Sequence, residues 1–199
     1  MPFVFKRLAL FLSIAAAFAA DKEPAPFRPG PAASFARHQT NDQVTIGVDP
    51  YNVGAEKIKA AFGKIDPYQL GVLPVLVVMQ NDSGEALRLD QIKVEYLGPN
   101  HNRVTATPGK EVKYLRGPDR PNVIGGPTGP VPARVKKNPL NAWEIEGRAF
   151  SAQMLPAGNS AFGFFYFDTG LQRGATIYIS GITQARTGKE LLYFEIPLE

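Results

Sequence analysis

Val72-Leu73-Pro74-Val75-Leu76-Val77-Val78-Met79-Gln80, followed by Asn81-Asp82-Ser83-Gly84, is the stretch on which the fold turns. Nine residues rich in valine and leucine read as a strand. The turn cluster closes it, and a second strand-like run ends at Leu97, so the pair predicts a β-hairpin. Apolar residues occupy both parities: Leu73, Val75, Val77 and Met79 on one face, Val72, Leu76 and Val78 on the other. That pattern predicts a strand buried on both sides, the central strand of the core.

Towards the N-terminus, Val44, Ile46 and Val48 alternate with Thr45 and Gly47, which predicts a short half-buried strand. Residues 55–62 predict the one helix. Ile58, Ala61 and Phe62 share a face, Glu56 and Lys59 the other, and Gly63 suits a left-handed stop. At barely two turns it needs a sheet to dock on.

Beyond the turn, Leu87 and Leu89 have one parity and Ile92, Val94 and Tyr96 the other, which predicts a β-bulge at Asp90-Gln91. Residues 111–115 and 143–146 show strand-like alternation. Residues 161–167, with Phe162, Phe164 and Tyr166 against Phe165 and Phe167, predict a second inner strand. Residues 175–182 and 190–196 form a closing hairpin through Thr187-Gly188-Lys189. The sum is mainly β: one antiparallel β-sandwich of seven or eight strands with one short helix, spanning residues 41–199.

The strand at 76–80 ending in Asn81-Asp82-Ser83-Gly84, then Leu87-Arg88-Leu89, and the turn Leu155-Pro156-Ala157-Gly158-Asn159-Ser160-Ala161 opening Gly163-Phe164-Phe165-Tyr166-Phe167 resemble immunoglobulin-like domains of bacterial exported proteins. The resemblance implies an immunoglobulin-like sandwich and an extracytoplasmic location. It brings no catalytic residues.

The first residues agree with export. Lys6 and Arg7 precede an apolar run over 8–18, and Ala17-Phe18-Ala19 offers small residues at a cleavage site, the layout of a signal peptide over 1–19. The run is short for a membrane anchor, which needs about 20 residues. No transmembrane segment is expected after cleavage, and the periplasm or the outside of the cell is the expected location. Residues 20–40, with Pro24, Pro26, Pro29 and Pro31 among alanines, read as an extended spacer.

The chain has no cysteine. That removes lipid modification, disulfide staples and thiolate chemistry, and the core must stabilise the fold alone. The formal charge of +4 includes two signal-peptide cations. Charge concentrates at residues 98–141, where Arg103, Lys110, Lys113, Arg116, Arg120, Arg134, Lys136 and Lys137 face only Glu111 and Asp119. Fourteen of those 44 residues are Gly or Pro, so this reads as a long irregular insertion, functional or merely solvated. The eight cations are the candidate anion-binding residues, for an acidic envelope polymer or an acidic protein.

Other chemistries find little support. Only His38 and His101 could serve as an imidazole base, and Ser160 lacks the final glycine of a nucleophile elbow. No catalytic residue, metal ligand set or cofactor is expected. Asn81-Asp82-Ser83 has oxygen ligands and the glycosylation pattern, yet a turn explains it. Glu144 and Glu146 read as a solvated strand face rather than a glycosidase pair. Trp143, Tyr114, Tyr68 and Tyr51 could line a sugar platform or belong to the core. An exported chain without a nucleic-acid motif is not expected to meet DNA or RNA. The expectation is a non-enzymatic exported binding or structural module of the bacterial envelope. Its rivals are a carbohydrate-binding module, which requires exposed aromatics, and a cryptic hydrolase.

Overall fold

The computed structural model describes residues 27–116, 124–126, 129–131 and 138–199. The signal peptide expected at 1–19 lies outside them. In chain order the elements are β1 (Arg37–Asn41), β2 (Val44–Pro50), α1 (Ala55–Phe62), β3 (Leu73–Asn81), β4 (Leu87–Arg88), β5 (Lys93–Leu97) and β6 (Arg103–Thr105). There follow β7 (Ile124–Gly126), β8 (Gly129–Val131), α2 (Trp143–Gly147), β9 (Met154–Leu155), β10 (Ser160–Phe167), β11 (Thr176–Ser180), β12 (Thr183–Gln184) and β13 (Phe194–Pro197).

Two four-stranded antiparallel sheets, β1-β2-β3-β10 and β13-β11-β5-β6, face each other as a β-sandwich. A smaller sheet, β12-β4-β9, adds Leu87 and Leu155 to the same inner core. The two main sheets hold eight strands, in line with the sequence; the extra strands are two or three residues long. Leu73, Val75, Val77 and Met79 of β3 pack with Val94, Tyr96, Ile177, Ile179, Phe194 and Ile196 of the opposing sheet. The other parity, Val72, Leu76 and Val78, packs with Ile58, Ala61 and Phe62 of α1, and with Phe164 and Tyr166. Both faces of β3 are therefore buried, by the same residues the pattern assigned to each.

The helix is α1 as expected. Gly63, at φ 63°, closes it by donating to Lys59 O at 2.8 Å. An ion pair between Lys57 and Asp49 (2.7 Å) ties it to β2.

Several local expectations are corrected. β3 does not form a hairpin with the following run, because β2 and β10 occupy both its edges. Instead Asn81, fully buried, turns the chain out of the sheet. Its Nδ2 donates to Glu85 O (2.8 Å) and Leu155 O (3.0 Å), and its Oδ1 accepts from Ser83 N (3.1 Å). With its amide so engaged, Asn81 is not a modification site in the folded chain. The slip at Asp90-Gln91 is no bulge but the break between β4 and β5, which lie in different sheets.

Residues 112–114 form a 3-10 turn that buries only Val112, and residues 143–147 form α2, which buries Ile145. Neither is a strand, since alternation over four or five residues cannot separate the two periods. β10 pairs with β3 yet sits at the end of its sheet, its outer edge met by short bridges from Thr107 and Ala149. The fold also begins before Asn41. Ala32 is fully buried in a 3-10 turn at Ala32–Ser34, and a Cβ on Gly47 would lie 2.5 Å from Ala32 O. Only a glycine in β2 lets that turn lie so close, so residues 27–40 are not a bare spacer.

Candidate functional site

The outer face of the first sheet carries an aromatic cluster centred on Phe164. Its ring centroid lies 4.8 Å from Tyr51, 4.7 Å from Phe62 and 5.7 Å from Phe27. Edge-on and tilted pairs of this kind contribute about 0.5–1.5 kcal/mol each beyond area burial. Tyr166 adjoins the cluster, and its hydroxyl donates to Ile145 O at 2.7 Å, fastening α2 to β10. Burial pushes the Tyr166 phenol well above its ordinary pKa, and burial with nearby Asp49 does the same at Tyr51. The Arg148 charge partly opposes both shifts, so the guanidinium acts on both phenols.

Arg148 arrives there through the backbone. Phe164 N donates to Arg148 O (2.8 Å) and Phe150 N donates to Phe164 O (3.0 Å), laying residues 148–150 along the free edge of β10. Gly163 permits this, since a Cβ there would stand 2.6 Å from Phe150 N. The guanidinium carbon sits 5.1 Å from the centre of the Phe27 ring. Its Nε and Nη1 are buried without an acceptor among the described residues. None of the ion pairs of the described residues includes it.

Beside Arg148 opens a hollow of about 390 Å³, walled by Phe27, Trp143, Gly147, Ser151 and Phe162. That size lies at the low end of the roughly 300–1,000 Å³ usual for small-ligand sites. Trp143 is 67% exposed and Phe162 45%. The indole of Trp143 packs beside Gly147, where a Cβ would come within 3.3 Å of Cε3. The hollow thus offers an apolar wall with two exposed aromatic side chains, one hydroxyl and one under-solvated cation.

The basic residues singled out from the sequence are not brought together among those described. Arg103 pairs with Glu95 on β5 (2.9 Å) and lies 5.6 Å over Tyr178. Arg116 pairs with Asp168 (3.0 Å) and donates to Leu70 O and Gly71 O, so it staples its segment to the sheet. Lys113 Nζ is 5.1 Å from the centre of the Tyr114 ring, and Lys110 is exposed on a turn. Arg120, Arg134, Lys136 and Lys137 lie outside the described residues.

The four aromatics proposed as a platform also separate. Tyr51 is core. Tyr68 packs against the inner core and accepts from Leu171 N (3.3 Å). Only Trp143 and Tyr114 are exposed, and Tyr114 is not part of the hollow. Glu144 and Glu146 belong to the turn of α2 rather than to one strand face. His101 lines a different hollow, with Arg103, Thr176 and Glu195, while His38 Nδ1 meets Phe35 O at 2.7 Å. Sequence reasoning missed Arg148, Phe27 and Phe162 as site residues. The one local signal was Phe27, an aromatic isolated in a Pro/Ala-rich run.

No family model and no curated protein matches the chain. Among solved structures, the ycdA protein of Bacillus subtilis is similar at a TM-score of 0.37 and 13% identity, over 80% of this chain and 38% of that one. The chain thus spans well under half of that protein. A functionally unknown protein from Listeria monocytogenes is similar at 0.35 and 15% identity, over 80% and 79% of the two chains. The secreted protein MPT63 of Mycobacterium tuberculosis is similar at 0.32 and 15%, over 83% and 95%. Scores this low do not establish a shared fold. No helix of the described residues is long and apolar enough to cross a membrane.

Proposed function

We propose that this chain is an exported, non-enzymatic binding module of a bacterial envelope, and that a saccharide ring seats in the Trp143–Phe162 hollow. The observation that carries the reading is the exposed Trp143 indole, which packs beside Gly147 and lines a small concave site together with Phe162. A flat aromatic face takes the apolar face of a sugar ring, and Ser151 adds a hydroxyl within the same wall. Export rests on the Lys6-Arg7 and apolar layout at 1–19. The non-enzymatic reading draws on the character of the described polar side chains of the hollow, Arg148 and Ser151, neither of which is a general base.

The strand order also supports an immunoglobulin-like arrangement. β2-β3-β10 against β13-β11-β5-β6 corresponds to strands A-B-E against G-F-C-C′, with β1 added outside A.

Trp143 is the sole tryptophan, so its emission reports on the hollow alone. Titration with soluble hexose, N-acetylhexosamine and hexuronate oligomers is expected to change that emission saturably for at least one class. Trp143→Ala, at an exposed position, should leave the fold intact and abolish binding measured by calorimetry. Binding unchanged in that variant, or no response to any of the oligomers, overturns the reading.

A further inference from the structure

The geometry points to a carboxylated saccharide, a hexuronate-type unit, as the ligand class, with Arg148 receiving the acid group. This rests on the hollow being a saccharide site and adds the charge.

Three observations carry it. First, Arg148 lines the hollow while its Nε and Nη1 have neither water access nor an acceptor among the described residues. A guanidinium in that condition has lost much of its hydration, and the Phe27 ring replaces only part of it. Nη2 is not enclosed in this way, so it is the nitrogen through which an anion in the hollow would engage the guanidinium, while the unpaired Nε and Nη1 leave the charge under-compensated behind it. An anion reaching the side chain from the hollow meets an electrostatically under-compensated cation, and charge-assisted hydrogen bonds are roughly twice as strong as neutral ones.

Second, the two phenols on which its charge acts, Tyr51 and Tyr166, are pushed up by burial and stay neutral, so they cannot serve as its counter-ion. Third, Arg148 is the one cation among the described residues that line the site. Arg148 also caps the C-terminal end of α2, where carbonyls point outward, and Glu144 and Glu146 lie on the same turn. One fixed positive charge beside those groups suits a monoanionic carboxylate better than a doubly charged phosphate. The aromatic wall then distinguishes an acidic ring from an acidic peptide, which would leave the Trp143 and Phe162 faces bare.

The experiment compares oligogalacturonate with its fully methyl-esterified form, which has the same rings and length but no charge. Trp143 emission is the readout for the native chain, Arg148→Gln and Arg148→Lys. The free acid is expected to bind at least tenfold more tightly than the ester. Arg148→Gln should erase that preference and Arg148→Lys should retain only part of it. If Arg148→Gln does not fold, Arg148→Lys still reads the loss of the planar guanidinium from the site.

Equal binding of acid and ester, or a preference unchanged in Arg148→Gln, overturns the carboxylate assignment while leaving the saccharide site standing. Poly-glutamate competing as well as the oligogalacturonate of equal charge overturns the saccharide class. No response to acid or ester, with a neutral hexose oligomer bound, removes the acidic ligand alone. No response to any of them removes both.

Discussion

On one face of β3, Leu73, Val75, Val77 and Met79 meet an opposing sheet whose residues alternate in the same period. On the other, Val72, Leu76 and Val78 are roofed by α1 and by single buried residues from short turns, a loop and the five-residue α2: Ala32, Val112, Leu140 and Ile145. The inner interface is a repeating surface, so each strand contributes several residues and each contact is backed by its neighbours. The outer layer is assembled from pieces, each anchored by about one side chain or a few hydrogen bonds. The hollow sits on that second side. Loops and short helices vary in length and direction at little cost to the sandwich, which is where binding groups are usually carried.

The contrast is broken most severely at Phe164, which touches Phe27, Tyr51 and Phe62 and holds the roof to the sheet. Phe164→Ala is expected to cost about 3–5 kcal/mol, the usual range for a buried phenylalanine. Urea unfolding gives the magnitude, and hydrogen exchange gives its location. Amides of α1 and of residues 145–150 should lose protection first, with β5 and β11 still protected in the same sample. Equal loss in both regions would mean that the layers open as one unit.

A smaller change sharpens the same point. Tyr166→Phe removes one buried hydrogen bond and leaves the Ile145 carbonyl without its donor. The expected cost is about 1–3 kcal/mol, the penalty for a buried unsatisfied group. Because α2 carries Trp143 at one end and Arg148 just past the other, its emission and ligand affinity should shift along with stability. A stability loss with unchanged Trp143 emission would detach α2's position from that bond.

How much of this the sequence disclosed follows the same division. β3 was legible because nine residues with apolar groups on both parities leave few alternatives, and α1 because eight residues show a complete face. Residues 111–115 and 143–146 were misread because each buries one residue, Val112 or Ile145, and one residue has no period. The hairpin failed for a tertiary reason: both edges of β3 were taken by strands distant in sequence. Trp143 could be nominated from its residue type alone. Arg148 could not, since its place depends on Gly163 admitting the 148–150 backbone to the edge of β10. Nothing in the neighbours of Arg148 along the chain announces that contact. Clustered charge, the loudest sequence signal, was partly structural stapling: Arg103 and Arg116 are each matched to a carboxylate.

The smallest expected effect tests that stapling. Arg116 reaches Asp168 beyond the end of β10 and the carbonyls of Leu70 and Gly71 before β3, while Val112 four residues earlier is fully buried. Two anchors of unequal kind therefore hold residues 112–116 to the sheet. The ion pair is exposed on both sides, at 42% and 45%, so solvent screens it. Asp168→Asn should cost no more than about 0.2–1 kcal/mol, as exposed pairs do. The difference from wild type in urea unfolding should shrink further in about 1 M salt, where the screening length falls to roughly 3 Å. Burial of Val112 would then be the main anchor, and the cation an accessory that chooses where the segment lies. A salt-insensitive loss several times larger would reverse that order, and the basic segment would be docked by its charge.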